Sequence, residues 1–138
     1  MEFSVKEYEA YNAQEILPLY ESVGWTNYTQ KPQMLKEAYL HSLKSYSAYV
    51  DNKLVGIVRV VGDGASVVLV QDLLVYPQYH RQGIGTALLK RIMEEYNSVY
   101  QLHLLTDNTE KTIAFYKSLG FLMDTDIECR TFSRYSVG

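Results

Sequence analysis

Apolar and polar residues follow each other along this chain in patterns that predict four helices and the strands of one sheet. Apolar residues recur every three to four positions in two N-terminal stretches, Ala13 to Val23 and Pro32 to about Leu43. The same spacing predicts helices from Gly83 to Tyr96 and from Glu110 to Leu119. Short apolar runs between turn residues predict strands at 3–8, 46–50, 54–61, 66–75, 100–105, 121–123 and 127–135.

The run Ser66–Val75 is almost continuously apolar, which is typical of a central strand covered on both faces. A helix and another strand follow it, so residues 67–105 are predicted to form a parallel β-α-β unit. The whole order is β-α-α-β-β-β-α-β-α-β-β, which indicates a single α/β domain over residues 1–138. We expect a mixed, mostly antiparallel sheet with helices on both faces.

The bulk composition excludes several classes of protein. The chain has 138 residues, is 47% hydrophobic and carries a net charge of −3, which argues against a general nucleic-acid binder. No apolar run approaches the roughly 20 residues that span a bilayer. Cys129 is the single cysteine, so no internal disulfide and no cysteine-based metal site is expected. The polar, acidic stretch Met1–Glu9 is unlike a secretory signal. We therefore expect a cytoplasmic protein, monomer or homodimer, without metal, membrane or nucleic-acid partner.

One stretch suggests an anion site. The sequence YHRQGIGTALLKRI, residues 79–92, places Gly83 and Gly85 where a strand gives way to a helix. Free N–H groups at a helix start bind anions, and glycine lets a ligand approach the backbone. The region 73–93 holds no Asp or Glu but includes Arg81, Lys90 and Arg91. Leu88 rules out both a dinucleotide fingerprint and a Walker P-loop. Taken alone, the turn could equally be a tight connection without a ligand.

A second motif follows one strand later. TIAFYKSLGF, residues 112–121, lies on the last predicted helix. With its order of strand, glycine turn, helix, strand and a helix ending F-Y-x-x-x-G-F, the chain resembles the GNAT family of N-acetyltransferases over essentially its whole length. The family's phosphate signature is Q/R-x-x-G-x-G/A, and residues 80–85 match its glycines. His80 stands where Gln or Arg is usual.

The resemblance implies acetyl-coenzyme A (acetyl-CoA) as cosubstrate. It implies that the pyrophosphate rests on main-chain amides of the glycine turn and that the pantetheine arm pairs with the preceding strand like an added strand. In the family, amides at the positions of Leu73 and Val75 meet the acetyl carbonyl and the arm, where fixed donors stabilise developing oxyanion charge. The family's asparagine contact falls at Thr109, beside Asn108. The implied coenzyme-binding residues are Leu73, Leu74, Val75, Arg81, Gln82, Gly83, Ile84, Gly85, Thr86, Asn108 and Thr109.

Acetyl transfer to an amine also needs an acid and a base. An alkylamine of pKa about 10.4 is mostly protonated at neutral pH, and removing its proton costs roughly 4–5 kcal/mol. The family places a tyrosine near the coenzyme sulfur, which makes Tyr116 the candidate acid, although it could also be a core side chain. The strand position where some members carry a glutamate base is Leu69 here. Asp72 is the one carboxylate of that strand; it either relays a proton or bonds a neighbouring backbone group or tyrosine. Glu21 and His41 are weaker candidates.

The amine acceptor is expected near the first two helices. Trp25 and Tyr28 could form an aromatic wall that binds an amine by cation–π contact, or Trp25 could simply cover the core. The predicted function is acetyl-CoA-dependent N-acetyl transfer to a primary amine of a small molecule or peptide, by direct attack in a ternary complex. The alternatives are a coenzyme A-binding sensor or regulatory domain with little turnover, and a structural domain with no ligand.

Overall fold

A computed structural model describes residues 2–136 of this chain. It divides the chain into two compact units, residues 1–104 and 105–138. The first unit contains β1 (Ser4–Glu7), α1 (Ala13–Ser22), α2 (Thr26–Thr29), α3 (Pro32–Leu40), β2 (Lys44–Val50), β3 (Lys53–Gly62), β4 (Val67–Val75), α4 (Ile84–Glu95) and β5 (Gln101–Leu104). The second contains α5 (Glu110–Ser118) and a short 3₁₀ helix (Asp124–Ile127).

The five strands of the first unit form one sheet in the order β1-β2-β3-β4-β5. Neighbouring strands from β1 to β4 are antiparallel, whereas β4 and β5 are parallel. Helix α4 is the crossover between the two parallel strands, which confirms the predicted β-α-β unit and the mixed sheet.

Helices cover both faces of this sheet, as predicted. Ile57 of β3 packs in one core cluster with Ile16 and Leu19 of α1. A Cβ on the adjacent Gly56 would instead lie 3.2 Å from Leu88 of α4. Since consecutive residues of a strand point to opposite faces, α1 and α4 lie on opposite sides of the sheet.

Local signals explain where the first helix begins and ends. The Asn12 side chain accepts a hydrogen bond from the Gln14 N–H at 3.0 Å, which caps the N-terminus of α1. Ile16, Leu19 and Tyr20 share its buried face. After Val23, Gly24 takes a positive φ of 80°, a conformation that favours glycine and ends the helix.

Three details of the first unit differ from expectation. Helix α3 ends at Leu40 rather than near Leu43, because the Leu43 N–H already donates to Val60 O of β3 at 2.9 Å. The predicted strand at Ser66–Val75 is present as β4, but β3 is the strand that is buried most continuously. Every residue from Leu54 to Val60 of β3 is buried, whereas β4 alternates along most of its length. The helical turn α2 escaped the sequence pattern because four residues are too few to show a period.

The second unit corrects the predicted final strands. Residues 121–123 form no strand, and 127–135 are irregular apart from the end of the 3₁₀ helix. The Cys129 N–H donates to Asp124 O at 2.7 Å, so the chain turns tightly instead of extending. The apolar residues of this segment do not form a buried strand face, since Phe132 is 93% exposed.

No helix of the described residues is long and apolar enough to cross a membrane. The predictions of one domain over residues 1–138 and of a cytoplasmic location stay predictions.

Candidate active site

The glycine turn lies between β4 and α4 and leaves main-chain donors uncovered. Gly83 precedes α4 with a φ of 83°, and Arg81 also has a positive φ, of 65°. In the described part of the chain no side chain caps α4, and its first main-chain bond runs from Ala87 N to Gly83 O at 3.0 Å. The N–H groups of residues 84–86 therefore have no acceptor within the helix. A Cβ on Gly83 would meet no atom within 4 Å, so the turn has room for a ligand.

The histidine of the motif holds the end of the preceding strand. His80 Nε2 lies 2.8 Å from Val75 O, the last carbonyl of β4. The imidazole donates there in the tautomer that carries the proton on Nε2, because a carbonyl can only accept. His80, which replaces the Gln or Arg usual in the family, thus forms a hydrogen bond with the end of β4.

The carboxyl-terminal half of β4 has an open edge. The pairing of β4 with β5 ends at Val70 and Leu104. In the pairing with β3, Arg59 lies opposite Asp72 while Val60 lies opposite Val70, so Gln71 is the extra residue of a β-bulge.

The direction of the amides at this edge follows from one hydrogen bond. The Tyr76 N–H donates to Val55 O of β3 at 2.9 Å. Because successive N–H groups of an extended chain point to opposite edges, those of Leu73 and Val75 point away from β3. An extended ligand could pair with them as an added strand.

A glycine that the sequence analysis overlooked brings α4 close to the sheet. A Cβ on Gly56 would lie 3.1 Å from Leu74 O, 3.2 Å from Leu88 Cδ1 and 3.3 Å from Ile84 Cγ2. A Cβ at this position would require these neighbours to shift by a few tenths of an ångström, and one of them, Ile84, is the first residue of α4. An isolated glycine inside a strand pattern was the available signal.

Asp72 is buried and has two donors on one oxygen. Its Oδ2 accepts from Arg59 Nε and from the Tyr20 hydroxyl, both at 2.7 Å, while Oδ1 has no partner among the described residues. Burial, aided by the hydroxyl of Tyr39 and the carboxylate of Asp72, raises the pKa of Tyr20 far above its ordinary value, so the phenol remains a donor. Asp72 was predicted either to relay a proton or to bond a neighbouring group, and the fold contains the bond to a tyrosine. Arg59 and Tyr20 were missed because neither lies in a recognisable motif.

The two acceptor candidates lie in one aromatic cluster. The ring centroids of Trp25 and Tyr28 are 6.0 Å apart, and the Tyr20 ring lies 6.1 and 5.4 Å from them. Trp25 and Tyr28 are both half-buried and pack on the core of α1 and β3. Gln71 Nε2 reaches to 3.5 Å from the Tyr28 hydroxyl, which links this cluster to the bulge. Both the wall and the core-covering interpretation fit these contacts.

In the second unit, Tyr116 is held by two phenylalanines. Its ring centroid lies 4.9 Å from that of Phe115 and 6.0 Å from that of Phe121. Burial raises the pKa of the Tyr116 hydroxyl, and a hydrogen bond with the Thr106 side chain partly lowers it. The hydroxyl is therefore protonated at neutral pH, as an acid must be.

The remaining candidates have local partners or exposed positions. Thr109 caps α5, its Oγ1 accepting from the Thr112 N–H at 3.2 Å, with Asn108 exposed before it. Glu21 is exposed on α1, and His41 is the C-cap residue that follows α3. No group of three or more His, Cys, Asp or Glu within residues 2–136 could hold a metal ion.

Comparison with known proteins links this geometry to one family. The model of the acetyltransferase (GNAT) domain matches residues 42–122. The structure of a GNAT family acetyltransferase from Streptococcus pneumoniae superposes with a TM-score of 0.89 at 40% identity, covering 98% of both chains.

Curated relatives agree at lower identity. An uncharacterised N-acetyltransferase from Gracilaria tenuistipitata var. liui is 30% identical over 83% of this chain and 64% of its own length. A histone acetyltransferase from Glycine max is 28% identical over 81% of this chain and 52% of its own length. This chain thus spans between about half and two thirds of the length of these two relatives.

Proposed function

This chain belongs to the GNAT family of acetyltransferases, and we propose that it transfers an acetyl group from acetyl-CoA to a primary amine. The family predicted from the glycine turn and the F-Y-x-x-x-G-F helix is thereby confirmed. The proposal goes beyond the family in naming acetyl-CoA as the cosubstrate, a primary amine as the acceptor and a role for each site residue. The acceptor amine belongs to a small molecule or to a peptide or protein.

The uncapped start of α4 carries this proposal. The N–H groups of residues 84–86 have no helical acceptor, and the space at Gly83 is open. A pyrophosphate fits such a site because it brings several acceptor oxygens and negative charge to the positive end of the helix dipole. Arg81 adds a cation in a stretch without acids.

The open edge of β4 receives the pantetheine arm and the acetyl group. The arm's amides pair with main-chain groups of Leu73 and Val75, as an added strand would. His80 already donates to Val75 O, and the Val75 N–H is the donor that remains for the arm. The Leu73 N–H is the donor for the acetyl carbonyl, where a fixed donor favours the charge that builds on oxygen during transfer.

The reaction exchanges one acyl bond for another. The amine nitrogen bonds to the thioester carbon, the carbon–sulfur bond breaks, and the sulfur leaves with the electron pair and takes a proton. Tyr116 supplies that proton in the proposal, since its hydroxyl is protonated at neutral pH. The amine must lose a proton before or during its attack.

Asp72 enters the proposal as a positioning residue. Both donors to its Oδ2 are already in place, and Oδ1 is closed off from solvent. A proton relay through Asp72 stays a prediction. Trp25 and Tyr28 are the proposed acceptor wall, supported by their mutual ring contact and by the hydrogen bond from Gln71 Nε2 to the Tyr28 hydroxyl.

Incubation with acetyl-CoA and an amine panel tests the function. We expect thermal stabilisation by acetyl-CoA, and thiol release that depends on one class among polyamines, amino sugars, amino acids and peptide amines. Stabilisation without thiol release for any amine would favour a coenzyme-binding sensor. If acetyl-CoA caused no thermal stabilisation and no amine led to thiol release, the proposal would be contradicted.

A further inference from the structure

The helix-covered interior next to β4 contains a buried ion pair. Asp72 and Arg59 are only 1% and 4% exposed, and the Arg59 Nε–H donates to Asp72 Oδ2 at 2.7 Å. Apolar side chains of similar volume often replace such a pair without loss of stability, or with a gain. Stability alone therefore does not explain why charged residues occupy these two positions.

The pair lies at the one irregularity between β3 and β4. Arg59 and Asp72 are directly opposite each other, and the register shifts immediately beside them, so that Gln71 has no counterpart on β3. The β5 ladder ends at Val70, one residue before the bulge. The ion pair thus lies just beyond the point where the pairing of β4 with β5 ends.

The register at this point decides which amides face the open edge. With the observed register, the Tyr76 N–H points to β3 and the N–H groups of Leu73 and Val75 point away from it. A slip of one residue would turn the Leu73 N–H toward β3 and Asp72 toward the opposite face. An ion pair resists such a slip more strongly than two interchangeable apolar side chains, because a slip would leave two buried charges unpaired.

The same carboxylate also connects β4 to the helices. The Tyr20 hydroxyl of α1 donates to Asp72 Oδ2 at 2.7 Å, and it lies 2.9 Å from the Tyr39 hydroxyl of α3. Arg59 Nη1 donates to Ser42 Oγ, just after α3, at 3.2 Å. Both helices are therefore tied to the residue that precedes Leu73.

We propose that the Arg59–Asp72 pair is a positioning device that holds the bulge at Gln71 in register and so presents the Leu73 N–H to the acetyl carbonyl. This inference rests on the proposed function, because it concerns the group that binds at the open edge. Neither residue touches the cosubstrate; both act through the main chain of β4.

The test compares the affinity for acetyl-CoA with that for coenzyme A, measured by calorimetry on the full chain. The Kd of coenzyme A divided by the Kd of acetyl-CoA is the acetyl preference, and it isolates the contact of the acetyl group. In the double variant Arg59→Met/Asp72→Leu the pair becomes apolar at similar volume. We expect it to bind coenzyme A nearly as the wild type does, with its acetyl preference lowered about fivefold, the contribution of one neutral hydrogen bond.

Two further variants and one control complete the design. Tyr20→Phe keeps the ring but removes one donor to Asp72, and we expect a smaller loss of preference. If the double variant does not fold, Arg59→Lys gives the same readout, since it keeps the charge but not the planar Nε donor. Val68→Ala, a buried substitution at the other end of β4, lowers stability without touching the bulge and should leave the preference unchanged.

The possible results separate the two proposals. A folded pair variant with the wild-type acetyl preference, or an equal loss in Val68→Ala, would overturn the positioning role. A wild type that binds both compounds equally well would overturn it too, while leaving coenzyme binding intact. A wild type that binds neither compound would overturn the proposed function itself and this inference with it.

Discussion

His80 Nε2 lies 2.8 Å from the carbonyl oxygen of Val75, five residues earlier, and so joins the glycine turn to the last residue of β4. The two elements that bind the two ends of the coenzyme in our proposal are thereby fixed to each other. The backbone tightens the same connection, since the Tyr79 N–H donates to Tyr76 O at 2.8 Å and the His80 N–H to Pro77 O at 3.1 Å. The first position of the phosphate motif therefore has a structural partner on the strand.

Replacing His80 tests this connection. His80→Ala removes the donor to Val75 O, and we expect the Kd for acetyl-CoA to rise about two- to tenfold, the range of one neutral hydrogen bond. His80→Gln keeps an N–H donor of similar reach and should retain most of the affinity. His103→Ala is the matched control, because His103 is exposed on β5 and its ring bonds the neighbouring Gln101 side chain at 3.1 Å. Calorimetry that gave the same Kd for His80→Ala and wild type would contradict the role.

The glycine turn itself is tested with a matched pair of glycines. Gly83→Glu places bulk and negative charge where the pyrophosphate is proposed to bind, and we expect binding of acetyl-CoA to be abolished. Gly24→Glu is the control, because Gly24 also has a φ near 80° and open space around its Cβ but lies after α1. Both variants pay a similar strain of about 1–2 kcal/mol for the left-handed backbone. Equal affinity of the two variants for acetyl-CoA would exclude the turn as the binding site.

The variant Tyr116→Phe tests the role of the Tyr116 hydroxyl as an acid while it keeps the packing of the ring. The phenylalanine ring keeps the packing against Phe115 and Phe121 but has no proton to give to the sulfur. We expect kcat to fall by about 100-fold, within the usual range for general acid catalysis, while the Kd for acetyl-CoA changes little. Tyr100→Phe serves as control because Tyr100 is 83% exposed. Thiol-release kinetics with unchanged kcat in Tyr116→Phe would remove the acid role.

The sequence predicted those parts of the fold that depend on local pattern. The strand, glycine turn, helix and strand from Val67 to Leu104 follow from apolar periodicity and from glycine's tolerance of positive φ, so they were predicted nearly to the residue. The partners of Asp72 could not be predicted, because Arg59 and Tyr20 are 13 and 52 residues away and meet it only through the register of β3 and the packing of α1. The bond between His80 and Val75 was also missed, since a motif position does not indicate which way its side chain turns.

The turn between β3 and β4 provides a prediction on pH. Asp63 Oδ1 accepts from the N–H groups of Ala65 and Ser66, both at 2.8 Å, and of Val67 at 3.1 Å. A hydrogen bond from the Ser66 hydroxyl, together with these amides, holds the pKa of Asp63 well below its ordinary value of 3.8. A carboxylate with a lowered pKa in the folded state stabilises that state above its unfolded pKa, and this contribution is lost as the pH falls.

Asp63→Asn checks the sign directly by urea unfolding of variant and wild type across a pH series. Asparagine does not titrate, so the stability difference between the two proteins should be constant from about pH 7 to 5 and should shrink below about pH 4. The wild type should be the more stable protein on the plateau, because its ionised oxygen accepts the main-chain bonds more strongly than a neutral amide oxygen does. A difference that stayed constant down to about pH 2.5, or that grew on acidification, would show that the charge of Asp63 does not stabilise this turn.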